Sequence, residues 1–149
     1  MFSKSKKIYR KFNEEKIQIR IYKEFLLTLL KQVYEHHKAL NYEKEIVNNF
    51  AVYDDIRNTR SLMGKLIMLK IIPHRKKEVV LNINIAEFLV LRELLYFACS
   101  LPSSITKISS EDLKACEKLQ NDIENIFNIL DSNEVRMYWN YMRNKDSIF

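Results

Sequence analysis

The stretch Asn84–Pro102, NIAEFLVLRELLYFACSLP, decides how the rest of the chain is read. Asn84 stands three residues before Glu87, the reciprocal spacing in which the two side chains satisfy each other's backbone N–H groups at a helix start. From Phe88 to Ala98 only Arg92 and Glu93 are charged, so the predicted helix is apolar on most of its faces. A helix of that kind belongs in the centre of a bundle or in an obligate interface. Pro102 marks where it stops.

Immediately upstream, Val79, Val80, Leu81, Ile83 and Ile85 alternate partly, which predicts one short edge or isolated strand. Before it lies a basic loop, Pro73 to Lys77. A 3.6-residue period runs from Tyr42 to Ile72 and ends at Pro73; Gly64 within it reads either as a close crossing or break, or as a tolerated glycine. Residues 13–40 read as a long amphipathic helix, capped by Asn13, with Glu14 and Glu15 where the helix dipole favours acid and Ile19, Tyr22, Leu26, Leu29, Leu30 and Val33 as its stripe.

Downstream, residues 103–110 hold four serines and a threonine and read as a linker. Ser109 with Asp112 then predicts the cap of a helix over 110–130. Leu113, Cys116, Leu119, Ile123, Ile126 and Leu130 form its stripe, and a tail with Tyr138, Trp139 and Tyr141 favours one more helix. The fold expected is all-α, a bundle of four to six helices with at most one short strand near Val79 to Ile83. Residues 1–102 would form the helical domain, and 103–149 a linker and a small C-terminal unit.

Composition supports helices. One glycine (Gly64) and two prolines leave little material for tight hairpins, and they remove the glycine-rich phosphate-binding fingerprints. The longest apolar run, Leu62 to Ile72, contains Lys65 and Lys70 and falls short of the roughly 20 residues a membrane span needs. No apolar segment follows Met1 in the first fifteen residues, so no secretory signal is expected. The first 23 residues carry eight Lys and Arg against two Glu, which accounts for the whole net charge of +6. Cys99 and Cys116 lack any CxxC spacing and read as inert buried thiols in a reducing compartment.

No catalytic pattern emerges, and neither a metal nor a cofactor is expected. His36 and His37 are adjacent, about 100° apart on a helix, and miss the three- or four-residue spacing of a metal-binding face. Asp54 and Asp55 diverge in the same way, and Glu43 with Glu45 defines no carboxylate pair. Two basic clusters offer contact with nucleic acid: Lys4, Lys6, Lys7, Arg10 and Lys11 around Tyr9, and Arg75, Lys76 and Lys77 after His74. An excess of aromatic residues, Trp139, Tyr138 and Tyr141 above all, points to a protein partner.

Three segments carry a resemblance. Phe12-Asn13-Glu14-Glu15 ahead of a helix ending Lys31-Gln32-Val33-Tyr34-Glu35, the string Ile56-Arg57-Asn58-Thr59-Arg60-Ser61-Leu62, and Leu81 to Ala98 with Glu87 leading resemble, in order, the helical domain of GINS subunits of the replicative helicase. The resemblance covers residues 12–102. It implies a non-catalytic structural subunit in the nucleus, whose partners are sister subunits and replicative helicase components, with Arg57, Asn58 and Arg60 at the matching positions. The small β-rich domain expected after the linker is represented only by 103–149, which reads mainly as helix. A second, shorter resemblance is to mitochondrial adaptors with a leucine-tyrosine-arginine motif. Ile21-Tyr22-Lys23, Phe25 to Leu27 and Phe50 carry it, and it implies a mitochondrial location and docking on acyl carrier protein. A basic helical protein that binds nucleic acid is the remaining alternative.

Overall fold

The computed structural model describes residues 2–47, 49–100 and 109–145; of the expected linker at 103–110, residues 103–108 lie outside them, with Leu101 and Pro102. Helix α1 spans Phe2–Glu14, strand β1 Lys16–Tyr22, and a single 3-10 turn Lys23–Phe25 leads into α2 at Leu26–Ile46. Then follow α3 at Phe50–Ile71, β2 at Glu78–Asn84, α4 at Ile85–Ser100, α5 at Ser110–Ile129 and α6 at Ser132–Lys145. The chain is thus mostly helical, with six helices and one two-stranded antiparallel sheet among the described residues.

The second strand corrects the expected helix over 13–40. Ile17, Ile19 and Ile21 alternate with Lys16, Gln18, Arg20 and Tyr22, a period of two that β-branched residues satisfy on a pleated surface. That pattern finds its partner in β2, with Lys16 opposite Asn84, Ile19 opposite Leu81 and Tyr22 opposite Glu78. Ile19, Ile21, Leu81 and Ile83 all face the core. Asn13 therefore caps no start; it sits in the last turn of α1, its amide donating to the Tyr9 carbonyl at 2.8 Å. The basic N-terminus is itself an amphipathic helix, whose Ile8 and Phe12, one turn apart, are buried.

The period across Tyr42 to Ile72 also divides. The chain leaves the helix at Val47, and the Asn49 side chain accepts from the Val52 N–H at 2.9 Å to start α3. α3 runs unbroken through Gly64, which is exposed; a Cβ there would meet no atom within 4 Å, so no close crossing occurs at that point. The helix ends at Ile71, two residues short of Pro73.

α4 occupies the centre. Asn84 and Glu87 cap each other as expected, Glu87 N–H to Asn84 Oδ1 at 2.7 Å and Asn84 N–H to Glu87 Oε1 at 2.9 Å. Lys65 on α3 completes the arrangement, its Nζ 2.6 Å from Oε1 of the fully buried Glu87 carboxylate. Phe88, Leu91 and Leu95 are completely enclosed, and burying each such side chain contributes about 1.5–3 kcal/mol. Ser109 starts α5 by accepting from the Asp112 N–H at 3.2 Å, again as expected. Cys116, Leu119 and Ile123 of α5 and Val135, Tyr138 and Met142 of α6 join the same core as Ile8, Phe12 and Phe88. Residues on both sides of position 102 therefore share one interior.

Candidate functional site

Asp54, on the buried face of α3, gathers several side chains that the sequence places at an interface. Tyr9 donates to its Oδ1 at 3.0 Å, Arg57 pairs with the same oxygen at 2.7 Å, and Asn58 donates to Oδ2 at 3.3 Å. Tyr138 reaches Oδ2 from α6 at 3.4 Å, and Arg57 also donates to Asn13 Oδ1 at 2.8 Å. Around this carboxylate the Tyr9 ring stacks on Tyr138 at 6.0 Å and leans on Tyr141 at 5.2 Å. Burial, with the Asp54 charge next, raises the phenols of both Tyr9 and Tyr138, so both stay protonated donors. Asn58 and Tyr138 are buried here and tie α3 to α6, while Arg57 makes its contacts to Asp54 and Asn13 from an exposed position. Arg60 is exposed, Tyr141 is half-buried, and Trp139 is 44% exposed.

Asp55, one residue on, points elsewhere. Two cavities of about 660 Å³ and 630 Å³ share Asn49, Ala51, Asp55, Glu93 and Phe97 as wall, so they form one groove. It begins on α2 beside His36 and Glu43, crosses α3 and α4, and ends on α6 at Trp139, Met142 and Arg143. Tyr96 and Phe97 stand in it at 61% and 51% exposure, although Ala86, Phe88, Leu91, Leu94, Leu95 and Ala98 of the same helix are buried. Their rings meet edge to face at 5.9 Å. Arg92 on the same rim is already occupied: it forks onto Glu124 at 2.8 and 3.3 Å and lies 3.7 Å over the Phe127 ring.

Carboxylates gather where the two cavities meet, with Arg92 and Arg143 on the rim. Burial, then the neighbouring Glu93, Asp54 and Glu43, push the Asp55 carboxyl up to about 7. Burial and Glu43 raise Glu93 as well. None of the Asp55, Glu93 and Glu43 carboxylates has a hydrogen-bond or ion-pair partner among the described residues. Burial lowers His36, and the adjacent His37 adds to this, so the imidazole on the groove wall is neutral near pH 7. Sequence reasoning missed this site, although two adjacent aromatics beside Glu93 on an otherwise core-bound helix are its local sign.

The basic residues lie elsewhere. Lys4, Lys6, Lys7, Arg10 and Lys11 are carried on α1, with Lys11 drawn to Glu134 at 2.9 Å. Arg75, Lys76 and Lys77 are exposed in the turn before β2, where with Tyr22 and Lys23 they border a cleft of about 400 Å³. Lys23 is bound there to the His74 carbonyl at 2.8 Å, and Lys118 lies 4.8 Å over the Tyr22 ring. Ile21 and Tyr22 close a strand and Lys23 opens the 3-10 turn, so the shorter resemblance falls at a strand end and not within a helix. Among the described residues no group of three or more His, Cys, Asp or Glu is arranged to hold a metal, and no helix is long and apolar enough to cross a membrane. No family model, curated protein or solved structure matches this chain.

Proposed function

We propose that this chain is a non-catalytic subunit of a larger assembly, and that it is held there by an amphipathic, lysine-rich helical segment of a partner lying in the groove across α2, α3, α4 and α6. The observation that carries the reading is the combination of exposed Tyr96, Phe97 and Trp139 with three carboxylates that have no cation of their own among the described residues. Aromatic anchors supply most of the energy of a protein interface, and complementary charge supplies its selectivity and on-rate. A groove walled by four helices and bearing exposed aromatic rings suits the apolar face of a helix, with the carboxylates left for its lysines.

Trp139 is the chain's single tryptophan, so its emission reports directly on the site. A synthetic helix with leucines along one face and lysines along the other should quench or shift that emission. The double variant Asp55→Asn, Glu93→Gln should weaken binding about tenfold at pH 8. Equal binding of a control peptide with glutamates in place of the lysines would overturn the reading.

The finer assignment we propose is a GINS-type replication subunit acting in the nucleus with sister subunits and replicative helicase components. It rests on the strings at Phe12 to Glu15, Ile56 to Leu62 and Leu81 to Ala98. Co-expression with such sister subunits should bring the chain into a stable complex. Its exclusion from that complex would remove the replication assignment and leave the groove to be tested with the peptide.

A further inference from the structure

We propose that Cys99 and Cys116 form a peroxide-sensitive oxidation site that closes to an intramolecular disulfide joining α4 to α5. The inference is independent of the groove. Seventeen residues separate the two cysteines in sequence, yet their sulfurs lie 2.8 Å apart, within hydrogen-bonding reach. Both are free thiols, and their exposure differs in a useful way: Cys99, in the last turn of α4, is half-buried, whereas Cys116, in the second turn of α5, is fully enclosed.

That asymmetry divides the chemistry. Either sulfur can donate in the bond between them; with Cys116 enclosed and Cys99 reachable, the arrangement in which Cys116 keeps its proton and donates favours the thiolate at Cys99, against the opposing effects of burial and Glu117. At Cys116 the same hydrogen bond and burial both favour the protonated thiol. The nucleophile in thiol oxidation is the thiolate, so the reachable Cys99 reacts first and the enclosed Cys116 resolves. Hydrogen peroxide is the oxidant. The Cys99 thiolate attacks one peroxide oxygen, the O–O bond breaks, and hydroxide leaves and takes up a proton as water, giving the sulfenic acid. The Cys116 sulfur then attacks the Cys99 sulfur, the S–O bond breaks, and the Cys116 proton leaves with the hydroxyl as a second water. Two thiols are oxidised by two electrons and one peroxide is reduced to two waters. The product ties the end of α4 to the start of α5 across the 17-residue interval.

The test uses the full chain, reduced and then treated with a small excess of hydrogen peroxide. Intact mass under denaturing conditions should fall by two hydrogens, iodoacetamide should then label neither cysteine, and peptide mapping should link 99 to 116. Melting temperature should rise by about 5–10 °C and return with dithiothreitol. Cys116→Ser should accumulate a sulfenic acid at Cys99 that dimedone traps, while Cys99→Ser should stay unlabelled. Three results would each overturn the proposal: both thiols still alkylated after oxidation, dimers linked through Cys99, or disulfide forming no faster in the folded chain than in guanidinium. The last comparison needs no variant to fold.

Discussion

Asp54 and Asp55 are neighbours in the chain with opposite surroundings. The 100° step between adjacent helical residues makes their divergence legible from sequence, but the allocation is not. Asp54 receives Tyr9 from 45 residues upstream and Tyr138 from 84 residues downstream, partners that only the fold brings together. The Asp55 carboxylate receives none among the described residues, and it stands at about 7 because burial and three further carboxylates disfavour its charge. The consequence for stability has a definite sign. Below about pH 4 both folded and unfolded chains keep this proton. Between 4 and 7 the unfolded chain has released it while the folded chain still holds it, so stability falls as pH rises, and above 7 the loss is complete. Asp55→Asn should therefore leave stability unchanged at pH 4 and raise it by about 2 kcal/mol at pH 8, a figure discounted for partial solvent access. Urea denaturation of both chains at the two pH values checks it; an equal gain at pH 4 would mean that packing, not charge, responds.

Among the elements, α4 is the most legible and β1 the least, for one physical reason. The capping pair Asn84 and Glu87 and the apolar run behind them are local features, fixed by residues three or four apart. β1 depends on β2, over fifty residues away, and the seven residues Lys16–Tyr22 fit a helical stripe almost as well until that partner is supplied. Glu87 shows how far the local reading goes. Its cap is readable from spacing; its burial and the Lys65 ion pair from α3 are not. Oε1 takes both the Lys65 ammonium and the Asn84 N–H, whereas Oε2 is enclosed with no hydrogen-bond partner among the described residues. A buried carboxylate in this position depends on its cation. Lys65→Met should destabilise the fold by about 3 kcal/mol, because it strands the charge. Adding Glu87→Gln should restore a large part of that loss, since a neutral amide oxygen still accepts from Asn84. A double-mutant cycle by chemical denaturation measures the coupling; additive losses would show that Lys65 contributes only its methylenes.

For the molecule as a whole, net charge conceals the arrangement that matters. The chain carries +6, yet the groove brings Asp55, Glu93 and Glu43 together, because the basic excess sits on α1 and β1 and at the exposed turn before β2. A composition argument sees only the sum and so points toward anionic partners, whereas the aromatic tail draws attention to α6, where Trp139 keeps an exposed ring. The groove itself needs α2, α3, α4 and α6 in register, which no single stretch of sequence encodes. Its charge is also adjustable near neutrality. Asp55 is faced by Glu93 and Arg92 from α4, Glu43 and His36 from α2, and Tyr138 and Arg143 from α6, with Asp54 beside it on α3. Between pH 6 and 8 the phenol and the guanidinium groups keep their protonation states, burial holds His36 below its usual range, and Asp55 passes from mostly protonated to mostly charged. A lysine-rich helix binds the charged form better, so its affinity should rise about fivefold over that interval. In Asp55→Asn the rise should flatten. An affinity that falls with pH would overturn the electrostatic account, because proton loss at Asp55 or at His36 makes the groove more negative in either case, whereas a flat profile in the unaltered chain would show that the aromatic rings alone hold the helix.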